Sequence, residues 1–159
     1  MDEITTKLTI NGEERQITTR PNRTLLDVLR EDFGLTGAKD GCGGEGECGA
    51  CTVIMNDQAV NSCLVLIGQA QGSRIVTIEG LGKAEDPHPL QTSFVAHGAV
   101  QCGFCTPGAV ISAAGLLQEH PSPSEDQIRE ALSGNLCRCT GYTKMITAVQ
   151  AAAEEMADD

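Results

Sequence analysis

The chain has 159 residues, enough for one ordinary domain or two small ones, and its 40% hydrophobic content suffices for a packed interior. Eleven Lys and Arg stand against 22 Asp and Glu, a formal charge of -11 without any basic cluster, which argues against nucleic acid or an anionic lipid surface as a partner. No apolar run approaches the roughly 20 residues needed to span a bilayer, and the opening MDEITTKLTINGEERQ lacks the basic and apolar regions of an export signal, so the reading is a soluble, cytoplasmic chain.

In chain order, KLTING and EERQITTR are short runs rich in Thr and Ile around Asn11-Gly12, which predicts a β-hairpin. TLLDVLREDFG places Leu25, Leu26, Val28, Leu29 and Phe33 at helical intervals, with Thr24 or Asn22 as cap and Gly34 as stop. The stretch GCGGEGECGAC, Gly41 to Cys51, comes next. After it TVIMND, CLVL and RIVTIEG read as further strands or short buried segments. The first half is therefore expected to be a small mixed sheet crossed by one helix.

Gly41, Gly43 and Gly46 satisfy G-x-G-x-x-G, the dinucleotide fingerprint, but that loop needs a strand before it and a helix after it. Here a helix and GLTGAKD precede the glycines and a strand follows. Glycines also suit a metal-cluster loop, because they permit positive φ and let backbone N–H groups turn towards sulfur.

GLGKAEDPHP, Gly80 to Pro89, mixes Gly, Pro and charge as linkers do, and we place a domain boundary there, giving domains 1–80 and 85–159. Beyond it, HPLQTSFVAHG reads as a helical segment. Thr106 as cap and Pro107 at the first helical position then start a helix with Val110, Ile111, Ala114 and Leu117 on one face. Cys102 and Cys105 would sit at that helix start, where the dipole favours thiolate. SPSEDQIREAL offers Ser124 and Gln127 as a capping box, with Ile128, Ala131 and Leu132 as the apolar face. A last helix runs from about Tyr142 through Met145, Val149, Ala152 and Met156. Between these two lies SGNLCRCTGY, where Asn135, Thr140 and Gly141 imply an irregular loop. Residues two apart on a helix diverge, so only such a loop brings Cys137 and Cys139 to one centre.

Eight cysteines in a chain read as cytoplasmic favour metal ligation over disulfides. Cys42, Cys48, Cys51 and Cys63 lie early and Cys102, Cys105, Cys137 and Cys139 late, with the 38 residues from Leu64 to Gln101 free of cysteine, so two four-thiol sites are expected. The early spacing, C-x5-C-x2-C-x11-C, is one residue longer in its first gap than the plant-type ferredoxin pattern. Cys42 is the only upstream candidate for the first ligand, so one of Gly43 or Gly44 is read as an insertion. In the late half C-x2-C is also compatible with a redox dithiol or zinc, although the C-x31-C gap and the C-x-C pair depart from usual zinc spacings. A Rieske site would need two His ligands, and His88, His97 and His120 stand at ligand spacing from no cysteine; they read as helix-surface or capping residues. No nucleophile paired with a base is apparent, so no catalytic residue is assigned.

GCGGEGECGACTV (Gly41 to Val53), AVQCGFCTPG (Ala99 to Gly108) and GNLCRCTGY (Gly134 to Tyr142) together resemble the three signature stretches of the small iron-sulfur subunit of molybdenum hydroxylases, a family that includes xanthine dehydrogenases, aldehyde oxidoreductases, nicotinate and isoquinoline dehydrogenases and carbon monoxide dehydrogenases. The resemblance displaces the zinc reading. It implies an α+β fold, a ferredoxin-like β-grasp domain followed by a four-helix-bundle domain. It further implies two 2Fe-2S clusters, one held by Cys42, Cys48, Cys51 and Cys63 and one by Cys102, Cys105, Cys137 and Cys139. Its implied partners are a large subunit with the molybdenum-pterin cofactor and a medium subunit with FAD, in a heterotrimer or dimer of heterotrimers. Gln101 and Cys139 would then lie against the pterin; the bland alternative for Gln101 is a buried polar residue satisfied by backbone. The implied function is electron transfer from molybdenum through both clusters to flavin. A free two-cluster ferredoxin-type carrier is the alternative.

Overall fold

Asn11 and Gly12 both take positive φ, 52° and 84°, the conformation a two-residue turn needs to match strand twist. They close a hairpin of β1 (Ile4–Ile10) and β2 (Glu13–Thr19), with Thr6, Leu8 and Ile10 alternating inward. The computed structural model describes residues 2–158. Its sheet has five strands in the order β2-β1-β5-β3-β4, where β3 is Thr52–Met55, β4 is Gln58–Asn61 and β5 is Arg74–Val76. β5 runs parallel to β1 and antiparallel to β3. β4 goes beyond the strands expected from the sequence, although its turn, Asn56-Asp57, again has two residues at positive φ.

The predicted first helix begins at Thr24, not Asn22: Thr24 Oγ1 accepts the Asp27 N–H at 3.1 Å and Asp27 Oδ2 accepts the Thr24 N–H at 3.0 Å, a reciprocal cap. One α turn, α1 (Leu25–Asp27), widens into a π turn over Val28–Asp32, and Gly34 at φ 68° ends it. Leu25, Val28 and Leu29 are fully buried under the sheet. Arg30 on its outer side donates to the carbonyls of Thr36 at 2.8 Å and Ala38 at 2.6 Å, fixing the segment that enters the cysteine loop.

Two expected strands are corrected. CLVL forms no strand; Ser62–Leu64 is a single 3-10 turn, with Cys63 buried in the sheet core and Val65 packed against it while Leu64 and Leu66 are exposed, so of the two readings the short, part-buried segment holds and the strand does not. RIVTIEG is strand only to Val76, because Thr77 binds Asn11 through both its N–H and its hydroxyl and the chain turns into α2 (Ile78–Leu81).

The bundle consists of α3 (Pro89–Ala96), α4 (Thr106–Glu119), α5 (Glu125–Leu132) and α6 (Thr143–Asp158). Its core is built on Leu90, Phe94, Val110, Ile111, Ile128, Met145 and Val149. Ser124 and Gln127 form the expected capping box. α4 departs slightly from expectation: Cys105, not Thr106, occupies the cap position. The histidines serve helix ends. His88 Nδ1 accepts the Leu90 N–H at 3.2 Å to cap α3, and His97 and His120 terminate α3 and α4. A second core lies beneath the sheet around Leu8, Leu29, Val53, Ile67 and Ile75. Ile54 on the other face of β3 joins the bundle core, and Gly115 of α4 lets that helix approach Ala59 of β4. Among the described residues no helix is long and apolar enough to cross a membrane.

Candidate metal centres

The loop from Gly41 to Cys51 wraps Cys42 from one side. N–H groups of Cys48, Glu47 and Gly46 point at its sulfur and hold the thiol down to about 7. This is the role anticipated for the glycines, and Gly43, Gly44, Gly46 and Gly49 all have positive φ. The extra residue of the first gap is absorbed at the outer corner. There Asp40 Oδ1 accepts the N–H of Gly43 at 2.7 Å and of Gly44 at 3.3 Å, and a Cβ on either glycine would meet nothing within 4 Å. Glu45 and Glu47 are exposed. Cys48 pairs with Cys42, and Cys51 with Cys63 on the 3-10 turn. Burial, followed by the Cys51 thiol, pushes Cys63 up to about 12.

In the bundle, Cys102 and Cys105 precede α4, while Cys137 and Cys139 come from the loop after α5, which is irregular as expected. The sulfurs of Cys102 and Cys139 are 3.6 Å apart and exposed. Cys105 pairs with Cys137 on the inner side. Burial and the Cys137 thiol push Cys105 up to about 12, which overrides the helix-start preference for thiolate. Burial also pushes Cys137 upward, but it is outweighed by bonds from the Thr140 hydroxyl, the Thr140 and Cys139 N–H groups and the Cys105 thiol, leaving Cys137 at about 7. Gln101 is exposed, not buried, and its amide donates to the Cys139 carbonyl at 3.1 Å.

The two quartets touch through backbone. The Leu136 N–H, next to Cys137, donates to the Cys48 carbonyl at 2.9 Å, and the buried Asn135 amide donates to the Gly49 carbonyl at 3.0 Å. A Cβ on Gly49 would lie 2.3 Å from the Gly134 carbonyl, and one on Gly108 2.3 Å from the Gly49 carbonyl, so glycine is what lets the loops meet.

Each quartet divides into two pairs. A single tetrahedral ion draws four sulfurs together equally, with bonds of about 2.3 Å, and among the described residues no three His, Cys, Asp or Glu side chains converge as one such ion requires. Two pairs of thiols, flanked by inward N–H donors, suit a centre of two irons with one pair on each. Cys63 and Cys105, where burial opposes the thiolate, are where a nearby cation is most needed.

A family model described as a 2Fe-2S iron-sulfur cluster binding domain matches residues 8–74, and one described as a 2Fe-2S binding domain matches residues 77–150. Over 158 residues the chain is 54% identical to the nicotinate dehydrogenase small FeS subunit of Eubacterium barkeri, covering 99% of this chain and 100% of that one. The chain belongs to the small iron-sulfur subunits of the molybdenum hydroxylases. This iron-sulfur subunit is also 47% identical over 148 residues to the nicotine 6-hydroxylase small subunit of Paenarthrobacter nicotinovorans, covering 93% of this chain and 88% of that one. Its fold matches a chain of quinoline 2-oxidoreductase from Pseudomonas putida 86 with a TM-score of 0.93 and 46% identity, covering 99% and 98% of the two chains. It is an electron-transfer subunit of an oxidoreductase, with two 2Fe-2S domains.

Sequence reasoning identifies Asn135 and Thr140 only as loop formers and Tyr142 only as a helix start. In the iron-sulfur subunit the Tyr142 carbonyl does accept the first bond of α6, from the Ile146 N–H at 3.0 Å. Beyond that role Tyr142 has φ 70°, and its hydroxyl accepts the Cys137 N–H at 2.8 Å and donates to the Asn135 carbonyl at 3.0 Å. The available signal was the Thr-Gly-Tyr run directly after C-x-C.

Proposed function

We propose that Cys42, Cys48, Cys51 and Cys63 hold one 2Fe-2S centre and Cys102, Cys105, Cys137 and Cys139 the other. The chain then passes electrons from a molybdenum-pterin cofactor in a large partner subunit to FAD in a medium one. The observation that carries this reading is the division of eight thiols into two quartets of two pairs, joined by the Leu136 to Cys48 backbone bond. When bound, each centre supplies a one-electron store.

The residues around each site have separable tasks. N–H groups of Gly46, Glu47 and Cys48 stabilise negative charge at Cys42. Arg30 and Asp40 fix the two ends of the approach to that loop. Cys102 and Cys139, exposed beside Gln101, form the face offered to the pterin, and the hydrogen bond from Gln101 to the Cys139 carbonyl orients its amide there. The Leu136 to Cys48 hydrogen bond provides a backbone bridge between the sites. We assign residues 1–80 and 85–159 to the two domains, the cytoplasm as location, and a heterotrimer or dimer of heterotrimers as the assembly. The relatives named for nicotinate, nicotine and quinoline favour an N-heterocyclic substrate for the complex, bound by a partner subunit.

The test is native isolation followed by metal analysis and mass identification of co-purifying chains. The expected result is about four irons per copy of this chain, two distinct paramagnetic signals on reduction, and a molybdenum-containing assembly. A colourless zinc protein would overturn the reading, and a brown protein eluting alone near 16.7 kDa would establish the free-carrier alternative.

A further inference from the structure

We infer that Thr140 sets the reduction potential of the bundle-domain centre through the sulfur of Cys137, an inference that rests on the ligand assignment proposed above. Thr140 brings two donors to one sulfur: its hydroxyl lies 3.2 Å and its N–H 3.4 Å from Cys137 Sγ. Among the described residues no other side-chain hydroxyl bonds a cysteine sulfur. The direction of the hydroxyl is determined. The Tyr142 N–H donates to Thr140 Oγ1 at 3.3 Å, occupying that oxygen as acceptor, and a thiolate ligand has no proton to give, so the hydroxyl proton points at sulfur.

The backbone holds this arrangement at a conformational cost. Gly141 and Tyr142 both lie in the left-handed region, at φ 66° and 70°, which is unfavourable for a bulky side chain such as Tyr142. Two bonds from the Tyr142 hydroxyl, to the Cys137 N–H and the Asn135 carbonyl, keep the turn closed. The result folds Thr140 back onto Cys137.

Reduction adds one electron, and hence one negative charge, to a centre whose formal charge is already roughly -2. A proton donor aimed at a ligating thiolate stabilises the more negative state more, so it raises the potential. Cys137 is only half-exposed, which limits competition from water. Around Cys42 the donors are mainly backbone N–H groups, which every residue type except proline supplies. Thr140 is a side-chain donor, so its identity adjusts one centre without altering the other. It is a positioning and tuning residue and transfers no atom itself.

The experiment is a potentiometric titration of the complete complex with dithionite and dye mediators, read by electron paramagnetic resonance, for wild type, Thr140→Val, Thr140→Ala and Thr140→Ser. Thr140→Val is expected to lower the potential of one signal, by up to about tenfold in the reduction constant, or about 59 mV for one electron. The second signal serves as an internal control and stays in place, and Thr140→Ser retains the wild-type potential. Unchanged potentials in a fully iron-loaded Thr140→Val complex would overturn the inference. Equal movement of both signals, or a Thr140→Ser shift as large as that of valine, would do the same. Should valine prevent loading, Thr140→Ala carries the measurement, and failure of both to hold the centre would make the role one of assembly and overturn the redox assignment. A wild-type complex without two reducible signals would overturn the ligand assignment itself.

Discussion

Gly49 has room for nothing larger than hydrogen: its φ is 68°, and an added Cβ would meet the Gly134 carbonyl at 2.3 Å and the Asn135 amide at 2.7 Å. Gly49→Ala should therefore cost about 1–3 kcal/mol, read as a lowered melting temperature, and should loosen both quartets at once; an unchanged melting curve would contradict the packing described. His88 gives a pH-dependent test. Burial lowers its affinity for a proton, and Nδ1 must stay unprotonated to accept the Leu90 N–H. The folded value lies below the unfolded one, so the contribution is intact above about 6.5 and is lost as pH falls from there through the depressed native value. Denaturant midpoints of wild type and His88→Asn should lie close together above about pH 6.5 and separate towards acid, the wild type losing stability while the variant does not, since asparagine caps without titrating. At this scale the sorting of the cysteines into an early and a late group was legible because it is carried by spacing alone, and the structure pairs thiols only within each group. Thr140, Tyr142 and Asn135 were not, because their roles depend on a left-handed turn at Tyr142, a conformation that local sequence preference argues against.

Elements were legible where a local signal decided them. The hairpin at Asn11-Gly12 and the Ser124 box on α5 needed only neighbours in sequence. Ser124→Ala should remove about 1 kcal/mol of stability, measured by denaturant unfolding, while iron content stays at the wild-type level because that helix start lies apart from both quartets. The strand alternative for CLVL fails because apolarity alone does not distinguish a strand from a turn with one covered side: Cys63 and Val65 face the core, while Leu64 lies over Gly46 of the cysteine loop. The strand end at Val76 escaped notice for a different reason. It is set by the bonds of Thr77 to Asn11, 66 residues away in sequence. The π turn of the first helix likewise has no evident sequence signal, since the same apolar spacing suits an ordinary α-helix.

In the whole molecule, two modest cores meet across β3, with Val53 in one and Ile54 in the other. Cysteine sorting made the two halves visible in the sequence, but their contact through Gly49, Gly108, Gly134 and Asn135 was not, because backbone-to-backbone approach leaves no periodic trace. Stripping iron with a chelator under reducing conditions should lower the melting temperature and broaden the transition in both halves together, because each loop is braced by the other; circular dichroism on apo and reloaded protein checks this. A sharp, unshifted melt of the apo chain would show that the cores suffice alone.

The solvent-facing corner at Gly43 and Gly44, closed by Asp40, has a practical consequence. Extra length grafted between those glycines would project outward and leave the packing intact, so an electrode tether could be planted there, making electrical contact at the Cys42 end while leaving the face of Cys102 and Cys139 free.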